Sequence, residues 1–502
     1  MLALSFPKFG HPALAWVALV PLLVVLERTP RARAQRVFGL GVVTGAVAFA
    51  GTLYWITGVM TTYGGLPPST AVGVNALLVA YLALFIGLFA VLAARGIHAV
   101  GPPAIVTTAA AWVIGELGRR YLFGGFPWAL LGYSQVSVLP VAQLASVFGV
   151  YGVSFLVVLV NAALAAALVR TERRRLTGLG VAVGVVAAIA AWGQWRVSRG
   201  ALVESAEPVR VAMIQGNVAQ DDKRDPGLRR SILETYLSRS QAAADAGARL
   251  IVWPESATPQ PVEEDGASRA AILDLAARTG ADVILGSEEI DRDRVTRYYN
   301  AAFHVGPAGI APETYRKIRL VPFGEYVPLR RWLFFAGRLV AGVADFTPGT
   351  DPVTFSVDGH RLGTAICYEV VYPDLIRSFV TGGSELLTTI TNDAWFGETS
   401  APHQHFAQAA MRAVEQGRYL VRSANTGISG VVDPYGRVLA RTELFEHATV
   451  VADVGWIRTR TVYGRTGDLF AWGCAALVLG VLVAGARRRP VRRGGDERGS
   501  DA

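Results

Sequence analysis

The sequence predicts a polytopic α-helical membrane domain that carries an α/β domain outside the membrane. Three observations support this fold class. Hydrophobic residues make up 52% of the 502-residue chain and charged residues only 17%, and the mean hydropathy is +0.36. Long apolar runs fill the chain before Val209, whereas short apolar runs alternate with amphipathic segments after it. A composition this apolar is typical of membrane proteins.

The apolar runs have roughly the length that a ~30 Å hydrocarbon layer requires. Six of them fall within residues 1–200, and a last one falls within residues 466–487. Their predicted limits are 11–26, 37–57, 71–94, 103–118, 141–169, 176–195 and 468–486. The residues after the last run, 488–502, are basic and predicted to be a disordered tail.

Arginine clusters predict the orientation of these spans. "ERTPRARAQR" follows the first span, "RTERRR" the fifth and "RRRPVRRGG" the last, and the positive-inside rule places all three in the cytoplasm. Solvated helix ends are the alternative explanation for each cluster. The loops "TTYGGLPPST" and "FGGFPWALLGYSQ" and the whole α/β domain then face outward. Seven spans with a cytoplasmic tail would leave Met1 outside, which predicts a further span upstream of it.

The polar domain, predicted at residues 207–456, is not basic. From Glu204 to Trp456, acidic residues outnumber Lys and Arg by 32 to 25, so the net charge of +9 belongs to the membrane part. Nucleic acid is therefore excluded as a partner. Strand-like runs such as "VRVAMIQGN" and "RLGTAICYE" alternate with helical stretches such as "RAAILDLAARTG", which predicts buried sheets with functional residues at the strand ends.

Three reactive side chains follow such strands. Cys367, one of only two cysteines, ends "GTAIC", and Glu255 ends "LIVWPE". A thiol needs a neighbouring base, and burial would raise the pKa of Glu255 toward the range of a thiol base. A small buried hydrophobe and a helix cap are the alternatives for these two residues. The other cysteine, Cys474, lies in an apolar run, so a disulfide is not expected.

Lys317 is one of three lysines beside 45 arginines. A compact ammonium suits a tight pocket that stabilises an oxyanion, where a planar guanidinium would not fit. Chance retention of a lysine is the alternative. His403 and His405 lack a third convincing ligand, so no metal site is predicted.

The ordered motifs "QGN", "WPES", "YYN", "LVPFGEYVP", "ICYE" and "NDAWFG", set between membrane spans, resemble those of the apolipoprotein N-acyltransferases of the nitrilase superfamily. The resemblance implies an α-β-β-α sandwich and a ping-pong reaction without a cofactor, in which Glu255 is the general base, Cys367 the nucleophile and Lys317 the oxyanion donor. The acyl donor would be phosphatidylethanolamine and the acceptor a diacylated apolipoprotein. The implied location is the bacterial inner membrane, with the catalytic domain on the periplasmic face.

Further positions match the family pattern. Glu325, Tyr368 and Glu369 would shape the pocket and tune its charges, with local hydrogen bonding within loops as the alternative. Asn300, Asn392 and Trp395 would form its scaffold or walls. Arg224 stands where the family commonly has tryptophan. In addition, the apolar cluster Trp332, Leu333, Phe334 and Phe335 predicts an arm that dips toward lipid, with an ordinary buried helix as the alternative.

Two other functions use the same residues differently. A membrane-tethered amidase would need the same three catalytic residues but would pass its acyl group to water. A receptor without catalytic activity would have no need to keep all three.

Overall fold

The computed structural model describes residues 1–30, 32–100, 103–169, 174–293, 295–322, 324–326 and 345–487. The predicted arm at Trp332–Phe335 and the predicted tail at 488–502 lie outside these residues.

Fifteen described α-helices and twelve strands are numbered here in chain order. The first nine helices are α1 (Val20–Arg28), α2 (Ala34–Thr52), α3 (Trp55–Thr62), α4 (Pro68–Val100), α5 (Ala104–Tyr121), α6 (Leu139–Ala142), α7 (Ala145–Val169), α8 (Arg174–Arg199) and α9 (Ala201–Glu204).

Four of the described helices are long and apolar enough to cross a membrane. They are Ala34–Thr52, Pro68–Ala99, Ala145–Val169 and Leu176–Glu204. A shorter apolar helix covers Leu469–Gly485. The predicted membrane domain is therefore present, although the helix limits differ from the predicted spans.

The predicted first span, 11–26, is broken. It consists of a 3₁₀ turn at Pro12–Trp16 followed by the nine-residue α1. Asn161, buried in α7, accepts a hydrogen bond from the Leu19 amide at 2.8 Å and donates one to the Ala15 carbonyl at 2.9 Å. Irregular backbone is tolerated at membrane depth only where protein groups satisfy it, and this side chain does so.

The predicted span at 37–57 is also divided, because α2 ends at Thr52 and α3 begins at Trp55. Asn75 of α4 donates to the Leu53 carbonyl in the break, at 3.2 Å. Similarly, α7 kinks at Gly149, whose φ is +66°. Glu415 of the polar domain accepts from the Val150 amide at 2.8 Å and so binds this kink to the polar domain.

The polar domain contains two six-stranded sheets. The strands are β1 (Glu207–Gln215), β2 (Leu250–Val252), β3 (Asp282–Asp291), β4 (Arg297–Gly306), β5 (Gly309–Arg316), β6 (Thr354–Val357), β7 (His360–Ile366), β8 (Leu386–Thr391), β9 (Leu420–Ala424), β10 (Gly430–Val432), β11 (Val438–Arg441) and β12 (Ala448–Trp456). The order is β12-β1-β2-β3-β4-β5 in one sheet and β11-β10-β9-β8-β7-β6 in the other. In each sheet the central three strands are parallel (β1-β2-β3 and β7-β8-β9) and the outer pairs are antiparallel.

Alternating side chains divide the first sheet between two cores. Val211 and Met213 face the second sheet, in the same core as Leu362 and Ile366. The remaining helices are α10 (Arg229–Asp245), α11 (Gly266–Thr279), α12 (Pro373–Thr381), α13 (Ala401–Gln416), α14 (Val462–Thr466) and α15 (Leu469–Arg487). Ala212 and Ile214 pack in a separate core with residues of α10 and α11. Helices α12 and α13 pack on strands of the second sheet. The layer order is therefore α-β-β-α, as predicted.

Candidate active site

Cys367 lies immediately after β7, at the first position of a 3₁₀ turn that ends at Val371. Its φ is +53°, in the left-handed region that non-glycine residues rarely occupy and that is found at functional sites. The residue is buried. A thiol held in a strained turn at the end of a buried parallel strand is well placed to act as a nucleophile.

Glu255 follows β2 and is buried among hydrogen-bond donors. Asn300 Nδ2 donates to Glu255 Oε1 at 2.7 Å, and Lys317 Nζ donates to the same oxygen at 3.0 Å. The Asn392 amide donates to the other oxygen at 2.9 Å. Three donors from three different segments therefore fix the orientation of this carboxylate.

Lys317 follows β5 and its side chain is only 1% exposed. Its ammonium also donates to Glu325 Oε1 at 2.8 Å, and Asn300 Nδ2 donates to that oxygen at 2.8 Å. Glu325 Oε2 accepts from the Val321 amide at 2.7 Å. The predicted residues Glu255, Lys317, Glu325 and Asn300 thus form one buried network.

The prediction that the pKa of Glu255 is raised is wrong. Burial alone would raise this pKa, but the Lys317 charge and the Asn300 hydrogen bond hold it below its usual value. Burial also works against the charge of Lys317, yet Glu255 and Glu325 hold the pKa of Lys317 well above its usual range. Both groups are therefore charged at neutral pH.

The pKa of the Cys367 thiol is shifted so that its neutral form is favoured. Burial, together with the charge of Glu255, raises the pKa of Cys367 far above its usual value, and Lys317 only partly opposes this. The resting site therefore holds a neutral thiol close to a carboxylate and an ammonium. This arrangement supplies a base for the thiol proton and a cation for a developing negative charge.

Glu369 connects the Cys367 turn to the Lys317 segment. Its Oε1 accepts from the amides of Ile318 and Arg319, at 2.6 and 3.0 Å, and its Oε2 accepts from the Ile366 amide at 2.8 Å. Tyr315 adds a hydroxyl donor at 2.8 Å. Burial raises the pKa of Glu369 to about 7. Its role in the structure is to hold the two reactive segments together.

A second network supports the backbone of the nucleophile, and no sequence motif indicated it. His405 Nε2 donates to the Cys367 carbonyl at 3.1 Å. Because that ring nitrogen carries the proton, Nδ1 of the neutral ring accepts from Arg422 Nη2 at 3.0 Å. Arg422 also pairs with Asp393 at 2.7 Å. These three buried polar residues lie in the 3₁₀ turn after β8, in α13 and in β9, and their pairing is not visible in the sequence.

The remaining predicted residues lie around this centre. Asn392 donates through its side chain to Gln220 at 2.9 Å and accepts from Asn425 at 3.0 Å. Trp395 is half-buried and its ring lies 5.0 Å from that of Tyr63. Asn392, whose amide also donates to Glu255, supports the site, whereas a role of Trp395 as a wall of the site stays a prediction.

The membrane domain supplies one wall of the site. Trp128 stacks on Tyr368 with ring centroids 6.4 Å apart, and Phe126 lies at the same distance from Tyr368. Trp128 also donates to Gln404 at 2.8 Å. The loop "FGGFPWALLGYSQ", predicted only to face outward, thus packs next to the nucleophile and gives the site an apolar side.

Lys223, which precedes the departure at Arg224, lies near Glu255. Lys223 Nζ donates to the Ser256 carbonyl at 2.9 Å, and burial lowers the pKa of Lys223 to about 8 although Glu255 opposes this. Arg224 is exposed, and nothing in the structure explains its presence.

Known proteins with similar sequences identify the family. The family model described as apolipoprotein N-acyltransferase N-terminal domain matches residues 1–163, and the carbon-nitrogen hydrolase model matches residues 210–462. The apolipoprotein N-acyltransferase of Geobacter metallireducens is 40% identical, over 98% of this chain and 94% of its own length. The chain belongs to the apolipoprotein N-acyltransferase family.

Other relatives agree with this assignment. The apolipoprotein N-acyltransferase of Methylococcus capsulatus is 37% identical, over 97% of this chain and 95% of its own length. The apolipoprotein N-acyltransferase of Gloeobacter violaceus is 35% identical, over 98% of this chain and 93% of its own length. Among solved structures, an amidase of the nitrilase superfamily from Nesterenkonia AN1 covers 51% of this chain and is itself covered to 93%, with 21% identity and a TM-score of 0.39. The sequence relatives confirm the predicted family, and the chain is an acyltransferase of the membrane.

Proposed function

We propose that this enzyme moves a fatty acyl group from a membrane phospholipid to the α-amino group of the diacylglyceryl-cysteine at a lipoprotein N-terminus. The acyl group would be carried as a thioester on Cys367. The observation that carries this proposal is the buried Glu255–Lys317 pair acting on Cys367, beside an aromatic wall from the membrane domain.

In the first half-reaction Glu255 takes the thiol proton and the Cys367 sulfur attacks the ester carbonyl of the donor. Lys317 stabilises the oxyanion of the tetrahedral intermediate. The C–O bond then breaks, and the lysophospholipid oxygen leaves with the proton from Glu255. The acyl group remains on sulfur.

In the second half-reaction the lipoprotein amine attacks the thioester carbonyl. Glu255 accepts a proton from the attacking nitrogen, the C–S bond breaks, and the Cys367 sulfur regains the proton. An amide is formed and the enzyme returns to its resting state. A dry site favours the amine over water, and Phe126, Trp128 and Tyr368 provide apolar surface for that purpose.

We further propose phosphatidylethanolamine as the donor and the periplasmic face of the inner membrane as the location. The charge distribution of the loops supports this orientation. The loop predicted to face outward contacts the polar domain, since the Tyr63 hydroxyl donates to the Ala394 carbonyl at 2.7 Å. Lys8 likewise donates to the Glu398 carbonyl at 3.1 Å.

The decisive experiment is intact-protein mass spectrometry after incubation with phosphatidylethanolamine in the absence of acceptor. An acyl mass that hydroxylamine removes and that Cys367→Ala lacks is the expected result. Chasing this species with a diacylated lipopeptide should transfer the acyl group to its amine. Release of free fatty acid at the same rate with and without lipopeptide would instead indicate the membrane-tethered hydrolase, and no acyl mass at all would refute the mechanism.

A further inference from the structure

Two arginines from different domains approach the same aromatic ring. Arg120, in the last turn of α5, and Arg319, two residues after Lys317, have their guanidinium carbons 5.0 and 5.1 Å from the centre of the Tyr372 ring. Tyr372 lies five residues after Cys367 and its ring is 5.3 Å from that of Tyr368. The two cations are therefore close to the nucleophile.

These cations are incompletely satisfied by protein groups. Arg120 is only 2% exposed and pairs with Asp374, and the carboxyl group of Asp468 also lies near Arg120. Within the described part of the chain, neither Arg120 Nε nor Arg319 Nε has a hydrogen-bond partner although both atoms are buried. Buried donors without acceptors are costly, so the geometry calls for an additional anion.

The surroundings of Arg120 place this anion at the surface of the bilayer. Tyr121, Leu122 and Phe123 follow Arg120 directly and are exposed, Phe123 to 89%. The Tyr121 ring lies 5.9 Å from that of Trp472, which is also exposed. Exposed Tyr and Trp residues of membrane proteins lie at the level of the lipid headgroups. Arg120 is thus at the depth at which lipid phosphates occur.

The position of the pair relative to Cys367 suits a phospholipid. In a phospholipid, a short glycerol segment joins the phosphate to the ester carbonyl, so a phosphate held at Tyr372 would bring an ester toward the nucleophile. The loop that follows Arg120 is attached to the same ring, because the Tyr372 hydroxyl donates to the Gly125 carbonyl at 3.1 Å. Both domains therefore contribute to one site.

We propose that Arg120 and Arg319, on the Tyr372 ring, bind the phosphate of the phospholipid acyl donor. Guanidinium groups match phosphate oxygens in bidentate geometry. This inference rests on the proposed function, because it assigns the phosphate to the donor. The diacylglyceryl acceptor has no phosphate, so the site acts in the first half-reaction only.

The test compares two donors in thioester formation, phosphatidylethanolamine and the phosphate-free diacylglycerol. Arg319→Gln should lower kcat/KM for phosphatidylethanolamine about tenfold, mainly through KM, because one charge-assisted hydrogen bond is lost. It should leave kcat/KM for diacylglycerol unchanged. Arg120→Lys keeps the charge opposite Asp374 but loses the fork, and should show the same selectivity to a smaller extent.

Arg441→Gln is the matched control, because it removes an exposed arginine of the same domain that pairs with Glu443. It should behave as wild type with both donors. Equal losses with both donors for Arg319→Gln, or no loss with either, would overturn the inference. A further arm adds inorganic phosphate. Suppose that phosphate inhibits wild type but not Arg319→Gln, and that the variant has unchanged kinetics with phosphatidylethanolamine. This result would assign the site to free phosphate and also overturn the inference.

Native mass spectrometry of the purified enzyme with phosphatidylethanolamine gives a readout that does not depend on the reaction. Wild type should retain the lipid, whereas Arg319→Gln should lose most of it. If wild type retained the lipid through Arg319 but formed no thioester, the proposed function would fail and the phosphate site would stand. Equal retention by both proteins would refute the site.

Discussion

Replacement of Lys317 by methionine tests both the structure and the chemistry of the candidate site. The Lys317 ammonium lies 3.0 Å from Glu255 Oε1 and 2.8 Å from Glu325 Oε1, in a side chain that is 1% exposed. Its removal leaves two buried carboxylates that share Asn300 Nδ2. Removing one partner of a buried ion pair costs about 3–5 kcal/mol of folding free energy, and the like charges add to that cost.

The same replacement removes the cation that would stabilise the oxyanion. Loss of one such donor lowers acyl transfer by about 10²–10³-fold. The rate of thioester formation from phosphatidylethanolamine, followed by intact mass, should therefore fall by at least this factor in Lys317→Met. Thermal denaturation in detergent should show a clearly lower midpoint.

A second variant separates the two effects. Glu325→Gln added to Lys317→Met removes one of the two carboxylates, so it should recover part of the lost stability but none of the activity. Lys223→Met is the matched control, because Lys223 is a second lysine near the site and, among the described residues, its ammonium donates only to the Ser256 carbonyl. Thioester formation within tenfold of wild type in Lys317→Met, or recovery of activity in the double variant, would refute the assigned role.

Three further predictions concern the support of the site. Gly286→Ala should abolish thioester formation, because a Cβ there would lie 2.6 Å from the Glu255 Cα. The control Gly266→Ala, with open space at its Cβ, should retain thioester formation. Full activity of Gly286→Ala would contradict this prediction. His405→Phe should lower kcat for thioester formation at least tenfold, because the Cys367 carbonyl loses its hydrogen-bond donor. The KM for phosphatidylethanolamine should change little. Asp393→Asn should lower kcat by a smaller factor. An effect of His405→Phe on KM alone would point instead to lipid binding. The third prediction concerns Glu369, whose pKa is raised to about 7 in the folded protein. Its neutral form therefore stabilises the folded state, fully so below the ordinary glutamate pKa. Up to about 3 kcal/mol of folding free energy is lost as the pH rises from that value through 7. Wild type should therefore denature at a lower temperature at pH 8 than at pH 5.5, and Glu369→Gln should show a smaller difference; an equal difference would contradict the assignment.

The reactive residues could be predicted because each follows a short strand in a recognisable motif. The scarcity of cysteine and lysine made Cys367 and Lys317 visible in the sequence, and the end of an apolar strand indicated Glu255. The His405–Arg422–Asp393 network could not be predicted in this way. Its members lie in a helix, a strand and a 3₁₀ turn. Only the contact of His405 with the Cys367 carbonyl, and the contacts of Arg422 with His405 and Asp393, give them a role.

The charge state of Glu255 shows where local reasoning fails. A glutamate after an apolar strand is expected to have a raised pKa when only burial is considered. The opposite result arises because Lys317, 62 positions away, donates to it. Electrostatic interactions depend on distance in space, and sequence separation carries no information about that distance.

The sequence by itself determined the class of protein and its order of motifs, and it predicted three reactive side chains, because apolar run length and motif residues are local properties. The tertiary structure alone decided where helices break in the membrane domain, since Asn161 and Glu415 satisfy backbone groups of distant segments. It also decided that Arg120 of a membrane helix and Arg319 of the polar domain share one aromatic ring. Such contacts form only when buried polar groups from separate domains find partners during folding, and a linear pattern does not contain them.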